Sequence, residues 1–249
     1  MLYLERTPKR VRAVVSGETV ADSVRAMLLH ETGHQPVYYF PSTDVRADLL
    51  VQSDRHTHCP KKGEASYYSI RVGERVVENA AWYYPSLVAG APEELTGAVA
   101  FYWDRVDAWF EEDEEVFVHP RDPYHRVDVL ASARQVRVRL DGELLAETRR
   151  ALALFETGLP VRWYIPRADV LASLTESDTV TRCPYKGTAR YYSADGEGDL
   201  IWCYERPFAE VGRIAGLLAF WNERVDLELD GVAQERPESP WSHRSRVSV

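Results

Sequence analysis

The chain has 249 residues, 45% hydrophobic and 28% charged, with 30 Lys and Arg against 39 Asp and Glu for a net charge of −9. That composition is globular, with room for one large or two small domains, and the acidic balance argues against a phosphate-backbone binder. No basic stretch leads into an apolar run at the N-terminus and no apolar stretch reaches roughly 18 residues, so neither a signal peptide nor a membrane-spanning helix is expected.

The first predicted elements are short strands over 11–15 and 18–22, joined by the hairpin-type turn Ser16–Gly17. A β-branched and aromatic run from Pro36 to Phe40 reads as the next strand, stopped by Pro41. Residues 64–72 and 75–84 read as two strands around Gly73–Glu74. Leu95, Ala98, Val99 and Tyr102 fall at i, i+3, i+4 and i+7, which predicts one short helix. A strand over Arg105–Phe110 follows.

The second half repeats this order. Val11–Arg12 and Gly17–Glu18 reappear as Val136–Arg137 and Gly142–Glu143, and Glu31-Thr32-Gly33 as Glu156-Thr157-Gly158. Cys59, Pro60, Lys62, Gly63, Tyr67 and Tyr68 match Cys183, Pro184, Lys186, Gly187, Tyr191 and Tyr192. Trp82, Tyr84, Phe101 and Arg105 match Trp202, Tyr204, Phe220 and Arg224. Ordered matching on this scale means duplication. The predicted organisation is one domain over 1–115, a structured connector over 116–130, a second domain over 131–232 and a polar, flexible tail over 233–249, in which Trp241 is the one aromatic. The second predicted helix carries Val211, Ile214, Ala215 and Leu218. Many short strands with one helix per copy predict a mostly β (β-rich α+β) fold, each copy a curled antiparallel sheet closed by its helix.

Three groups of residues are candidates for chemistry. The first is Cys-Pro-x-Lys-Gly, present twice in a chain with only four lysines. Its Lys offers a compact ammonium, and a Cys three residues away is open to activation as a thiolate; equally, the motif is a structural turn with a buried Cys. The second is Glu31 and Glu156, which either pair with the motif lysines or serve as turn carboxylates. The third is the aromatic set Tyr39, Tyr67, Tyr68, Trp82 and Tyr84 with its matches Tyr164, Tyr191, Tyr192, Trp202 and Tyr204. These line a ligand pocket or simply pack the core, and alternation sends Tyr67 and Tyr68 to opposite faces. Arg105 with Asp107, and Arg224 with Asp226, read as ion pairs on one face of a strand, or as an anchor for an anionic ligand. His56, His58 and Cys59 are metal-ligand types in a row, but the second copy has Val180 and Arg182 near the histidine positions, and no metal is expected. No histidine is shared by the copies, which weighs against a Ser-His-Asp mechanism in both.

The Glu-Thr-Gly turns, the stretch Tyr164 to Val170, the Cys-Pro-x-Lys-Gly turns, Phe220 with Arg224-Val225-Asp226, and the connector from His119 to Asp128 together resemble the bacterial family known as DUF427, in its two-domain form. The resemblance implies a compact β-fold of the Mss4-like, or β-tent, kind. It implies no reaction. The label nucleotidyltransferase-like has been applied to the family, yet this chain has no Gly-Ser followed by closely spaced carboxylates to hold Mg²⁺. It also has no Cys-x-x-Cys pair for structural zinc.

The reading favoured by the residues is a small-molecule binding or catalytic site in the second copy, mirrored in the first. Cys183, Lys186 and Glu156 are its candidate catalytic groups, and Tyr191, Trp202, Tyr204, Tyr164 and Arg224 its candidate ligand contacts. In the first copy the contacts are Glu31, Cys59, Lys62, Tyr67, Trp82 and Tyr84. The alternative is a non-catalytic interaction module in which the turns are structural. No cofactor, nucleic-acid partner or membrane partner is expected. The odd number of cysteines, three, fits a reducing, cytoplasmic setting.

Overall fold

The computed structural model describes residues 2–239 and 242, so Trp241 lies outside the described residues. The chain divides into two compact units, Met1–Asp122 and Pro123–Val249. The first holds β1 (Leu2–Arg6), β2 (Val11–Val15), β3 (Glu18–Ser23), β4 (Met27–Glu31), β5 (Val37–Phe40), β6 (Leu50–Cys59), β7 (Gly63–Val72), β8 (Arg75–Tyr83), β9 (Val99–Phe101), β10 (Ala108–Glu111) and β11 (Glu114–Val116). The second holds β12 (Val127–Ala131), β13 (Val136–Leu140), β14 (Glu143–Thr148), β15 (Leu152–Glu156), β16 (Arg162–Ile165), β17 (Leu174–Cys183), β18 (Gly187–Ala194), β19 (Glu197–Cys203), β20 (Leu218–Phe220), β21 (Asp226–Leu229) and β22 (Val232–Ala233).

Each unit pairs a seven-stranded sheet with a four-stranded one. The large sheets run β1-β4-β5-β9-β8-β7-β6 and β12-β15-β16-β20-β19-β18-β17, the same order strand for strand. Registers agree too: Leu2 faces Glu31 as Val127 faces Glu156. The hairpin residues Ser16–Gly17 and Asp141–Gly142 all take positive φ, the geometry of a two-residue turn that matches strand twist. The strand β12 comes from the segment read as connector, and it opens the second large sheet as β1 opens the first.

Alternation along the strands makes two apolar clusters per unit. Tyr38, Phe40, Ile70 and Phe101 face the small sheet and pack on Val11, Ala13 and Trp109. Tyr39, Tyr67 and Ala100 point the other way, into a separate cluster with Tyr84 and Leu95. The second unit divides likewise, with Tyr192 in one cluster and Tyr191 in the other. The large sheet is curled. Glu31, at the end of β4, and Lys62, in the β6–β7 turn, lie four to five strand positions apart in sheet order. On a flat sheet that is roughly 20 Å, yet their side chains meet at 2.5 Å. Curling brings the sheet's ends together around the second cluster.

Both predicted helices are corrected. Among the described residues there is no α-helix; Glu93–Leu95 and Ala209–Ile214 are 3-10 turns. Gly97 and Gly216 then take positive φ, and the chain enters β9 and β20 in the middle of the large sheets. The helical spacing arose because a turn and a strand both feed apolar residues inward. Leu95 and Ala98 fall in one cluster and Val99 in the opposite one. Ala215, which a helix would have buried, is exposed. Residues 234–239 of the predicted tail are tied down in part: Arg236 pairs with Asp226 at 2.9 Å, and Ser239 donates to Glu223 at 2.6 Å.

Candidate functional site

The site begins with the Cys-Pro-x-Lys-Gly turn. The Lys62 amide donates to the Cys59 carbonyl at 3.2 Å, and the Lys62 carbonyl accepts from Val88 N–H at 3.2 Å. Gly63 has φ +114, and a Cβ there would meet the Ser86 carbonyl oxygen at 3.0 Å. Only glycine both adopts this conformation and lets the 86–88 segment close on the turn. The second unit repeats the clamp, with Phe208 N–H donating to the Lys186 carbonyl at 3.2 Å and Gly187 at φ +98. With its backbone pinned, each lysine projects its ammonium across the concave face.

The ammonium meets the matched glutamate. Lys62 Nζ donates to Glu31 Oε2 at 2.5 Å, and Lys61 Nζ to Glu31 Oε1 at 2.9 Å. Burial opposes charge on Glu31, but the bonds and charges of Lys62 and Lys61 outweigh it and hold the carboxyl down at about 2. Two cations on one carboxylate leave a surplus positive charge. The Glu-Thr-Gly turn fixes the carboxylate: Glu31 ends β4, and its carbonyl accepts from His34 N–H at 2.9 Å.

Beside this pair stands an aromatic wall. Trp82 Nε1 donates to the Tyr39 hydroxyl at 3.1 Å, and Trp82 lies 4.6 Å from the Tyr102 ring. The Tyr67 hydroxyl bonds Thr57 at 2.8 Å. Burial pushes the Tyr39 and Tyr84 hydroxyls far above their usual range and Tyr102 up to about 12, so all three stay neutral. Wall and ion pair together enclose a cavity of about 460 Å³. Its lining includes all six first-copy residues singled out in the sequence: Glu31, Cys59, Lys62, Tyr67, Trp82 and Tyr84.

The second unit gathers the matched groups. Tyr164, Tyr191, Trp202 and Tyr204 form one buried cluster, with Cys183 packed against it. Trp202 Nε1 donates to the Tyr164 hydroxyl at 3.1 Å, and Thr181 bonds Tyr191 at 3.0 Å. Lys186 donates to Glu156, whose side chain is 5% exposed. Burial opposes the Glu156 charge, and His125 with Lys186 more than restores it, so its carboxyl lies below the ordinary range. In each unit the motif lysine's ammonium is committed to the glutamate rather than to the neighbouring cysteine.

Arg224 lies elsewhere, which corrects the sequence reading. It donates to the Gly198 carbonyl at 2.9 Å and pairs with Glu197 at 2.6 Å, at the β18–β19 turn. That turn is the far end of β18 from Lys186, roughly 25 Å along the strand. The expected pairs within Arg-Val-Asp also do not form: Asp107 bonds Arg75 at 2.7 Å and Asp226 bonds Arg236 at 2.9 Å. Arg105 and Arg224 sit in turns before the strands, where two-residue alternation does not apply. His58 bonds Glu64 at 2.5 Å and His56 bonds Ser66 at 3.2 Å.

Three contributors were not assigned to the site from the sequence. His125 bonds Glu156 at 3.0 Å and stacks on Tyr185, ring centroids 3.9 Å apart. It precedes the first strand of its unit, outside the positions matched between the copies, so that matching could not reveal it. Tyr102 lines the first cavity, and its place in the helical spacing hid that role. Arg162 lies over both Trp202 and Trp221, 5.4 Å from each ring centroid.

The fold and site thus define a tandem duplication of a small β domain, each copy built on a curled sheet with an aromatic and Glu–Lys lined concave face. The chain belongs to the family described as "Domain of unknown function (DUF427)", whose model matches residues 3–112 and 128–231. No curated protein matches it.

Proposed function

We propose that the first unit is a small-molecule-binding domain whose concave cavity takes a flat organic anion, an aromatic carboxylate or similar. The observation that carries this is the cavity itself: about 460 Å³, lined by Glu31, Lys61 and Lys62 together with Tyr67, Trp82, Tyr84 and Tyr102. That volume falls in the range of small-molecule sites, which combine apolar walls with a few placed polar groups. The two lysines outnumber the one glutamate they share, so an entering anion finds a cation without displacing the buried pair. Lys61, 45% exposed, is the freer of the two. Rings stack readily on Trp and Tyr faces. With the ammonium of Lys62 bonded to Glu31, binding is favoured over covalent catalysis at Cys59.

Calorimetric titration of the full chain with 2-naphthoate tests the proposal, with 2-naphthylmethylammonium as a cation of the same shape. The expected result is saturable binding of the carboxylate, at least tenfold weaker binding of the ammonium, and loss of that preference in Lys61→Ala. No binding, or equal binding of both ions, would refute it.

A further inference from the structure

The two copies differ at a register position on their concave face. Val37 in the first unit lines the cavity. Its counterpart by strand register is Arg162, since Leu29 faces Val37 and Leu154 faces Arg162. Arg162 is 7% exposed and grips Glu223 with two bonds of 2.7 Å. Its guanidinium lies over the faces of Trp202 and Trp221. The counterparts of those rings, Trp82 and Tyr102, line the first cavity. Glu223 is fixed in turn by Ser239, and burial notwithstanding, Arg162 and Ser239 keep its carboxyl below the ordinary range. Asp104, at the matching position in the first unit, is one methylene shorter and exposed.

We infer that Arg162 is a built-in occupant of the second unit's site: its planar guanidinium fills the space that an external flat ligand takes in the first unit, so Val37 and Arg162 set which copy binds. A planar cation over two neighbouring indole rings, held by a bidentate carboxylate, is a complete set of partners, satisfied without any ligand. Consistent with that, Trp202 is 7% exposed while Trp82 is only half-buried. The inference rests on the first-unit cavity being a ligand site, and the experiment below separates the two.

The probe is again 2-naphthoate, and the readout is moles bound per full-length chain. Arg162→Val alone would strand a buried carboxylate, so the opening variant is Arg162→Val with Glu223→Gln, which keeps an acceptor for Ser239. The closing variant is Val37→Arg with Asp104→Glu. The expected stoichiometries are one for wild type, two for the opening variant and zero for the closing variant. If wild type binds one and the folded opening variant still binds one, the plug is overturned and the first-unit reading stands. If wild type binds none but the opening variant binds one, the plug stands and the first-unit reading falls. Should the opening variant not fold, nitrogen-resolved NMR of the wild type decides: a plugged Arg162 gives separate, slowly rotating guanidinium signals shifted by the indole rings. An averaged Arg162 signal at the position of solvent-exposed arginines would overturn the inference.

Discussion

Replacing Glu31 by Gln removes one charge from the first unit's ion cluster and changes almost no volume. Glu31 sits at about 2 against an ordinary 4.5. Converted in full, that difference corresponds to roughly 3 kcal/mol of folding stability at neutral pH. Lys61 is 45% exposed and its share is screened by solvent, so the usable figure is ~1–2 kcal/mol. The sign follows from the lowered value. The stabilisation is complete above the unfolded carboxyl's value near 4.5 and is lost as pH falls toward 2. Glu31→Gln should therefore be ~1–2 kcal/mol less stable than wild type at pH 7, and the gap should close between about pH 4.5 and pH 2. Urea unfolding followed by tryptophan fluorescence at a series of pH values measures both curves, and their difference isolates Glu31 from the other carboxylates. A gap that is absent at pH 7, or that persists unchanged at pH 2–3, would refute the reasoning.

Other consequences follow from the same geometry. Gly63→Ala should destabilise by ~2–3 kcal/mol and Gly187→Ala by less, because a Cβ meets the Ser86 oxygen at 3.0 Å in the first unit but nothing nearer than 3.5 Å in the second; urea titration ranks them. Trp202→Phe leaves the buried Tyr164 hydroxyl without its donor and should cost at least ~1 kcal/mol in the same assay. Burial raises the Cys203 thiol and leaves that residue 2% exposed, whereas Cys59 lines the cavity. Iodoacetamide should label Cys59 well before Cys203, with 2-naphthoate slowing Cys59 alone; mass spectrometry of digests reports the order.

The sequence alone determined the duplication, the β character and most of the cavity wall. It could do so because repeated identity at ordered positions survives without coordinates, and because alternation sends Tyr67 and Tyr68 to opposite faces wherever the strand lies. The Cys-Pro-x-Lys-Gly turn was legible as a turn for the same local reason, its glycine. What the sequence could not decide was pairing at a distance. A period of 3.6 around Leu95 and Val211 looked helical, but the slot between β5 and β8, and between β16 and β19, demanded a strand, and inter-strand hydrogen bonds outweigh local spacing. The alternation rule was applied to Arg224 in a segment that is a turn, and so paired it with Asp226, whereas it bonds Glu197. His125 had no match to draw attention to it, and reaches Glu156 only because β12 pairs beside β15. The partner of each motif lysine, Glu rather than Cys, was set by the curl of the large sheet, which brings together residues that lie about thirty positions apart in the chain. On this inference the filling of a copy turns on the register position of Val37 or Arg162, whose meaning appears only once Trp202 and Trp221 are brought together beneath the guanidinium.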